Sequence, residues 1–154
     1  MLQYQRFLLV SLFVLVTNVF LSDGQCISFA KNVCKSELGK FVHDGNYNAT
    51  ILSEGETAEV YKTFFDGQAY RIAVCKVEGL PRILFKVIDS EGEVLFDNSE
   101  HDYTTTWDFG VETTQLLTIQ LNVLEKDEES LEKEAGCVAI LFGIRAESEN
   151  RKRR

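Results

Sequence analysis

The stretch QLLTIQLNVL, Gln115 to Leu124, places Leu117, Ile119, Leu121 and Val123 at every second position, with Thr118, Gln120 and Asn122 between them. A period of two puts alternate side chains on opposite faces of an extended chain. This run therefore predicts an antiparallel strand with one face in a core and the other in water. Downstream, Cys137 to Arg145 (CVAILFGIR) is apolar at consecutive positions and predicts a central strand covered on both faces. Upstream, runs rich in β-branched and aromatic residues recur at intervals of roughly 8 to 12 residues, the rhythm of a sandwich or barrel. They are Tyr47 to Leu52, Thr57 to Phe65, Gln68 to Val77, Arg82 to Ile88, Glu93 to Asp97 and Thr104 to Val111. Turn residues at Ser53 to Glu56, Asp66-Gly67 and Asp89 to Gly92 separate them, and Asp66-Gly67 is the strongest hairpin signal. The predicted fold class is all-β, an antiparallel, jelly-roll-like β-sandwich of about eight strands, preceded by a short N-terminal helix.

That helix is read from QCISFAKNVCKSELG, where Ile27, Ala30, Val33, Cys34 and Leu38 recur at helical spacing and Gly39 supplies a stop. Before it, Met1 to Arg6 is a short leader with one positive charge. Phe7 to Leu21 is an apolar run, and Ser22-Asp23-Gly24 offers small residues for cleavage after Gly24. This is the layout of a secretory signal peptide, and the apolar run is shorter than the roughly 20 residues a membrane span requires. The expected organisation is a signal peptide over 1–24, a helix and loop over 25–46, the sandwich over 47–145, and a charged, disordered tail over 146–154. The mature chain is expected to be secreted or periplasmic, with no transmembrane span.

Four cysteines, Cys26, Cys34, Cys75 and Cys137, are an even number in an exported chain and read as a disulfide framework with three connectivities. No C-x-x-C is present, which counts against a zinc ribbon or a thioredoxin-like pair. A continuous helix would hold Cys26 and Cys34 about 12 Å apart, too far to bond, so they can pair only if the helix starts after Cys26. Cys75 and Cys137 lie on strand runs that could be neighbours, and theirs is the favoured pairing. Buried free thiols are the alternative.

The 154 residues carry sixteen Lys plus Arg against twenty-four Asp plus Glu, a net charge of -8, which argues against a nucleic-acid partner. His43 and His101 are the only histidines, each followed by an aspartate. No nucleophile elbow, H-E-x-x-H motif, EF-hand order or G-x-G-x-x-G cradle accompanies them, so no catalytic residue, metal or cofactor is assigned. Trp107, with His101 and Asp102 nearby in sequence, is a candidate ligand platform, against the simpler reading of Trp107 as core packing. Asn48-Ala49-Thr50 matches an N-glycosylation acceptor, relevant only in a eukaryotic secretory pathway.

The segments VIDSEGEVLFDN (Val87 to Asn98), TTTWDFGVETTQLLTIQLNV (Thr104 to Val123) and GCVAILFGI (Gly136 to Ile144) resemble small exported β-sandwich proteins of Bacteroidetes-type bacteria. More distantly they are similar to bacterial pre-peptidase C-terminal and GOLD-like sandwich domains. The resemblance spans roughly Leu52 to Arg145, rests on turns and strand alternation, and implies a sandwich without assigning any site residue. The resulting expectation is a non-catalytic binding or envelope-associated module whose partner is a protein or glycan at the cell envelope. A structural envelope component pairing through a strand edge, and a small hydrolase or metal-dependent enzyme using His43 and His101, are the alternatives.

Overall fold

The computed structural model of the chain describes residues 23–126 and 133–145. The apolar core of the expected signal peptide and the whole expected tail lie outside the described residues. Helix α1 (Asp23–Asn32) and a 3-10 turn η1 (Cys34–Leu38) precede nine strands: β1 (Phe41–His43), β2 (Asn48–Ser53), β3 (Thr57–Phe64), β4 (Ala69–Lys76), β5 (Ile83–Ile88), β6 (Val94–Asp97), β7 (Thr106–Gly110), β8 (Gln115–Val123) and β9 (Ala135–Arg145). A second 3-10 turn, η2 (Asn98–His101), follows β6. Every strand read from the sequence is present, and β1 is added to them from the segment expected to be helix and loop.

The strands form two antiparallel sheets. In one, β2, β9, β4 and β7 are neighbours in that order, with β1 in line with β2 along the same side of β9; in the other the order is β3, β8, β5, β6. This is the jelly-roll arrangement, in which every connection from β2 to β9 crosses between the layers except the β5–β6 hairpin. Gly67 (φ 72°) and Gly92 (φ 87°) sit at the tips of two of the predicted turns, where the left-handed backbone favours a residue without Cβ. Asp89 holds the second turn through Oδ1, which accepts from the backbone N–H of Glu91 and of Glu93.

The alternation in β8 survives intact: Leu117, Ile119, Leu121 and Val123 are fully buried against Phe64, Phe85 and Phe142 between the sheets. A second apolar layer covers the outer face of the five-stranded sheet. There Ala30, Cys34, Leu38 and Phe41 lie on Ala73, Ala139 and Leu141, which explains why β9 is apolar at consecutive positions. The small residues let the N-terminal segment come close. A Cβ on Gly143 would fall 2.6 Å from Phe41 Cβ.

Two sequence expectations are corrected. The helix is not continuous to Leu38, because α1 ends at Asn32 and the chain tightens into η1 before Gly39 (φ 56°) stops it. The disulfide joins Cys26 to Cys137, with Cα atoms 5.1 Å apart, and not Cys75 to Cys137. Cys75 and Cys137 are on adjacent strands and the same sheet face, but the residue opposite Cys75 is Ala139. They are diagonal neighbours, whose Cα atoms stand about 7–8 Å apart, beyond comfortable bridging distance. The helix starts before Cys26, so it also keeps Cys26 from Cys34.

Candidate functional site

The predicted platform residues lie where edge strands β6 and β7 close one side of the sandwich. Asp97 caps η2 by accepting from Ser99 N–H, and buried Asn98 anchors the loop that follows. Its Oδ1 accepts from Phe85 N–H, and its Nδ2 donates to Ile83 O and Thr104 O. The anchored loop lays the His101 ring on Phe96, with centroids 5.0 Å apart and planes 8° apart. Phe96 stacks on Trp107 at 4.9 Å, and Trp107 on Phe109 at 4.3 Å. His101 and Trp107 are thus brought into one column, with a ring neighbour on each side of Trp107. Asp102 stays exposed in the loop with positive φ. Beside this column is a small cleft lined by Val74, Cys75, Arg82, Phe85, Tyr103 and Thr105, with the Arg82 guanidinium over the Tyr103 ring.

His43 is on the opposite side of the molecule. It belongs to β1, where its Nε2 lies 3.2 Å from Asn46 O and its Nδ1 accepts from Gly45 N–H. Neighbouring Asp44 is paired at 2.6 Å with Lys62, which reaches inward from β3 over the Phe142 ring. This polar cluster closes the second side of the sandwich, as the aromatic column closes the first. The fold therefore does not bring His43 and His101 together, and among the described residues no cluster of His, Cys, Asp and Glu is suited to hold a metal ion.

The feature that sequence reasoning missed is the outer face of the four-stranded sheet. Where α1 and η1 cover the other sheet, neither packs against this one. The strand registers place Tyr61, Thr118, Ile88 and Val94 in one row across all four strands. Leu116 stands in the next row opposite Thr63, and Phe65 follows at the end of β3. Tyr61 is 64% exposed, Phe65 60%, Leu116 50% and Val94 48%. On the other side of Tyr61 the face turns polar. Glu59 accepts from Gln120, and Lys86 pairs with Asp97 at 2.8 Å, so that row satisfies itself.

Electrostatics follow the same division. The Glu59 carboxyl is held below its ordinary value, chiefly by the Tyr61 hydroxyl that donates to it at 2.6 Å, and Tyr61 is correspondingly raised. Burial opposes ionisation of Asp97, but hydrogen bonds from Lys86 and Ser99 outweigh it and hold the carboxyl down at about 2. The apolar end of the face is rimmed by acids, with Asp66 and Glu112 exposed at one corner and Glu91 and Glu93 at the other. The signal was present in the alternation: once Leu117 and Ile119 point inward, Leu116 must point to water.

No family model and no curated protein matches the chain. Among solved structures it is similar to PliG of Aeromonas hydrophila, a periplasmic lysozyme inhibitor of g-type lysozyme. That likeness has a TM-score of 0.47 at 12% sequence identity, over 64% of this chain and 84% of the other.

Proposed function

We propose that this chain is an exported, non-catalytic module that binds a protein through the apolar end of the four-stranded sheet's outer face. One observation carries the reading: Tyr61, Leu116 and Phe65 stand exposed together at the β3–β8 end of a sheet face that α1 and η1 leave uncovered, with Val94 exposed across the same row on β6. Clustered exposed apolar side chains on a domain surface mark interaction sites, and an exposed tyrosine is a characteristic anchor. The acidic rim and the net charge of -8 specify the partner's chemistry. The complementary surface is an apolar patch set in basic side chains, because opposed charges steer encounter and reject mismatched partners. The wide separation of His43 and His101 supports the non-catalytic part of the reading, and the Cys26–Cys137 bond fits an oxidising compartment.

The test places a photo-crosslinking residue at position 116 or, as control, at exposed Thr50 in the full chain within its native host. A crosslinked basic protein at 116, absent at 50 and lost on Tyr61→Glu, is the expected result. Equal labelling at both positions, or a crosslink only to a second copy of the chain, would overturn the reading.

A further inference from the structure

Cys34 and Cys75 remain as thiols in the structure, and their placement repeats that of the bonded pair. The N-terminal segment lies across the outer face of β9 and β4, and it carries Cys26 and Cys34 eight residues apart. Below it, Cys137 on β9 and Cys75 on β4 share one face, two residues out of register. Cys26 descends from α1 onto Cys137, and Cys34 descends from η1 onto Cys75. Cys34 is fully buried, and half-buried Cys75 packs against the same apolar cluster, with its thiol near enough to perturb that of Cys34. Each is the other's remaining cysteine partner.

We infer that Cys34 and Cys75 are a second disulfide site, so that two parallel bridges fasten the N-terminal segment to adjacent strands β9 and β4. The reaction is thiol–disulfide exchange with a small-molecule or protein disulfide as oxidant. The more accessible Cys75, half-buried where Cys34 is fully buried, attacks as thiolate. One donor sulfur leaves as thiolate and a mixed disulfide forms. Cys34 then gives up its proton and attacks the Cys75 sulfur, forming the Cys34–Cys75 bond and expelling nothing further from the protein but the second donor thiol. Two protons and two electrons leave the pair, and the donor disulfide is reduced to two thiols. The neighbouring Cys75 thiol and burial both push the Cys34 thiol up, which slows its attack once η1 has docked. The bond therefore forms fastest during folding, before this layer closes.

The test is refolding of the reduced chain in a glutathione redox buffer, followed by alkylation in denaturant, intact mass and non-reduced peptide mapping. The expected result is loss of four hydrogens, no alkylated cysteine, and a crosslinked peptide joining Cys34 to Cys75. The Cys26→Ser/Cys137→Ser variant, treated alike, should still lose two hydrogens through that same peptide. Alkylation of both Cys34 and Cys75 in fully oxidised wild-type protein would overturn the proposal, as would a crosslinked peptide joining Cys34 to Cys26. Because the wild-type mapping decides the matter alone, a variant that fails to fold leaves the conclusion intact.

Discussion

Asn98 fills all three of its hydrogen bonds to backbone while 1% exposed, and in doing so ties β5 to the loop that ends at Thr104. Replacing it with leucine keeps the volume but strands a buried N–H and two carbonyls. Each such group costs on the order of 1–3 kcal/mol, so Asn98→Leu is expected to lower stability by about 3 kcal/mol or more in urea unfolding. A loss below about 1 kcal/mol would mean that water replaces the amide. Asp97 acts through charge. Its folded value of about 2 lies below the roughly 3.9 of an unfolded aspartate, so its contribution is complete above about pH 4 and is lost as pH falls toward 2. Asp97→Asn should flatten stability against pH across that window and leave its shape above pH 5 unchanged. An unaltered acid limb would show that other carboxylates dominate it.

At the scale of elements, both open sides of the sandwich are closed by side chains that need each other. The column His101, Phe96, Trp107, Phe109 fills one side, and Trp107→Ala is expected to cost about 3–5 kcal/mol, the range for emptying a large aromatic site. A platform role instead predicts a small stability loss in that variant and quenching of the parent's single tryptophan by oligosaccharides, so chemical unfolding of Trp107→Ala and a glycan titration of the parent separate the two. On the other side, β3 is a long edge strand, but Lys62 turns inward to Asp44 and Phe142. An inward charge on an edge strand opposes addition of another strand, which weighs against envelope assembly by edge pairing. The described ends of the acidic link between β8 and β9 are likewise held in place. The buried Glu54 carboxylate accepts from Lys126 N–H and Glu134 N–H, and the Lys126 and Lys133 side chains pair with Glu134 and Glu125.

For the whole molecule, one sheet is dressed by the N-terminal segment and the other is bare. A binding partner held by the bare face should associate faster at low ionic strength, since exposed charges are screened beyond about 10 Å at 0.1 M salt. Leu116→Asp should weaken that complex at least tenfold in Kd while leaving the melting temperature within about 2 °C of the parent. The side chain is half exposed and its removal opens no core. Equal affinity of variant and parent would move the interface elsewhere.

The local patterns were sufficient for local structure. Alternation in Gln115 to Leu124, the consecutive apolar run from Cys137, and glycine at turn tips each encode a preference that acts over a few residues, and the strands formed within one or two residues of the expected bounds. Trp107, His101 and Asp102 can be named from sequence as candidate ligand residues, but only the tertiary structure sets Phe96 between the His101 and Trp107 rings. What required the tertiary structure depends on register and on which layer lies over which. Cys137 meets Cys26 because a helix crosses its strand, and the two-residue offset from Cys75 is set by pairing across distant segments. The short strand β1 exists only because β9 offers it an edge. The bare face is likewise a property of the assembled layers: outward apolar residues look alike in sequence whether or not another segment folds back to cover them. A chain's own periodicity specifies which faces are apolar, but long-range packing decides which of those faces are left to water.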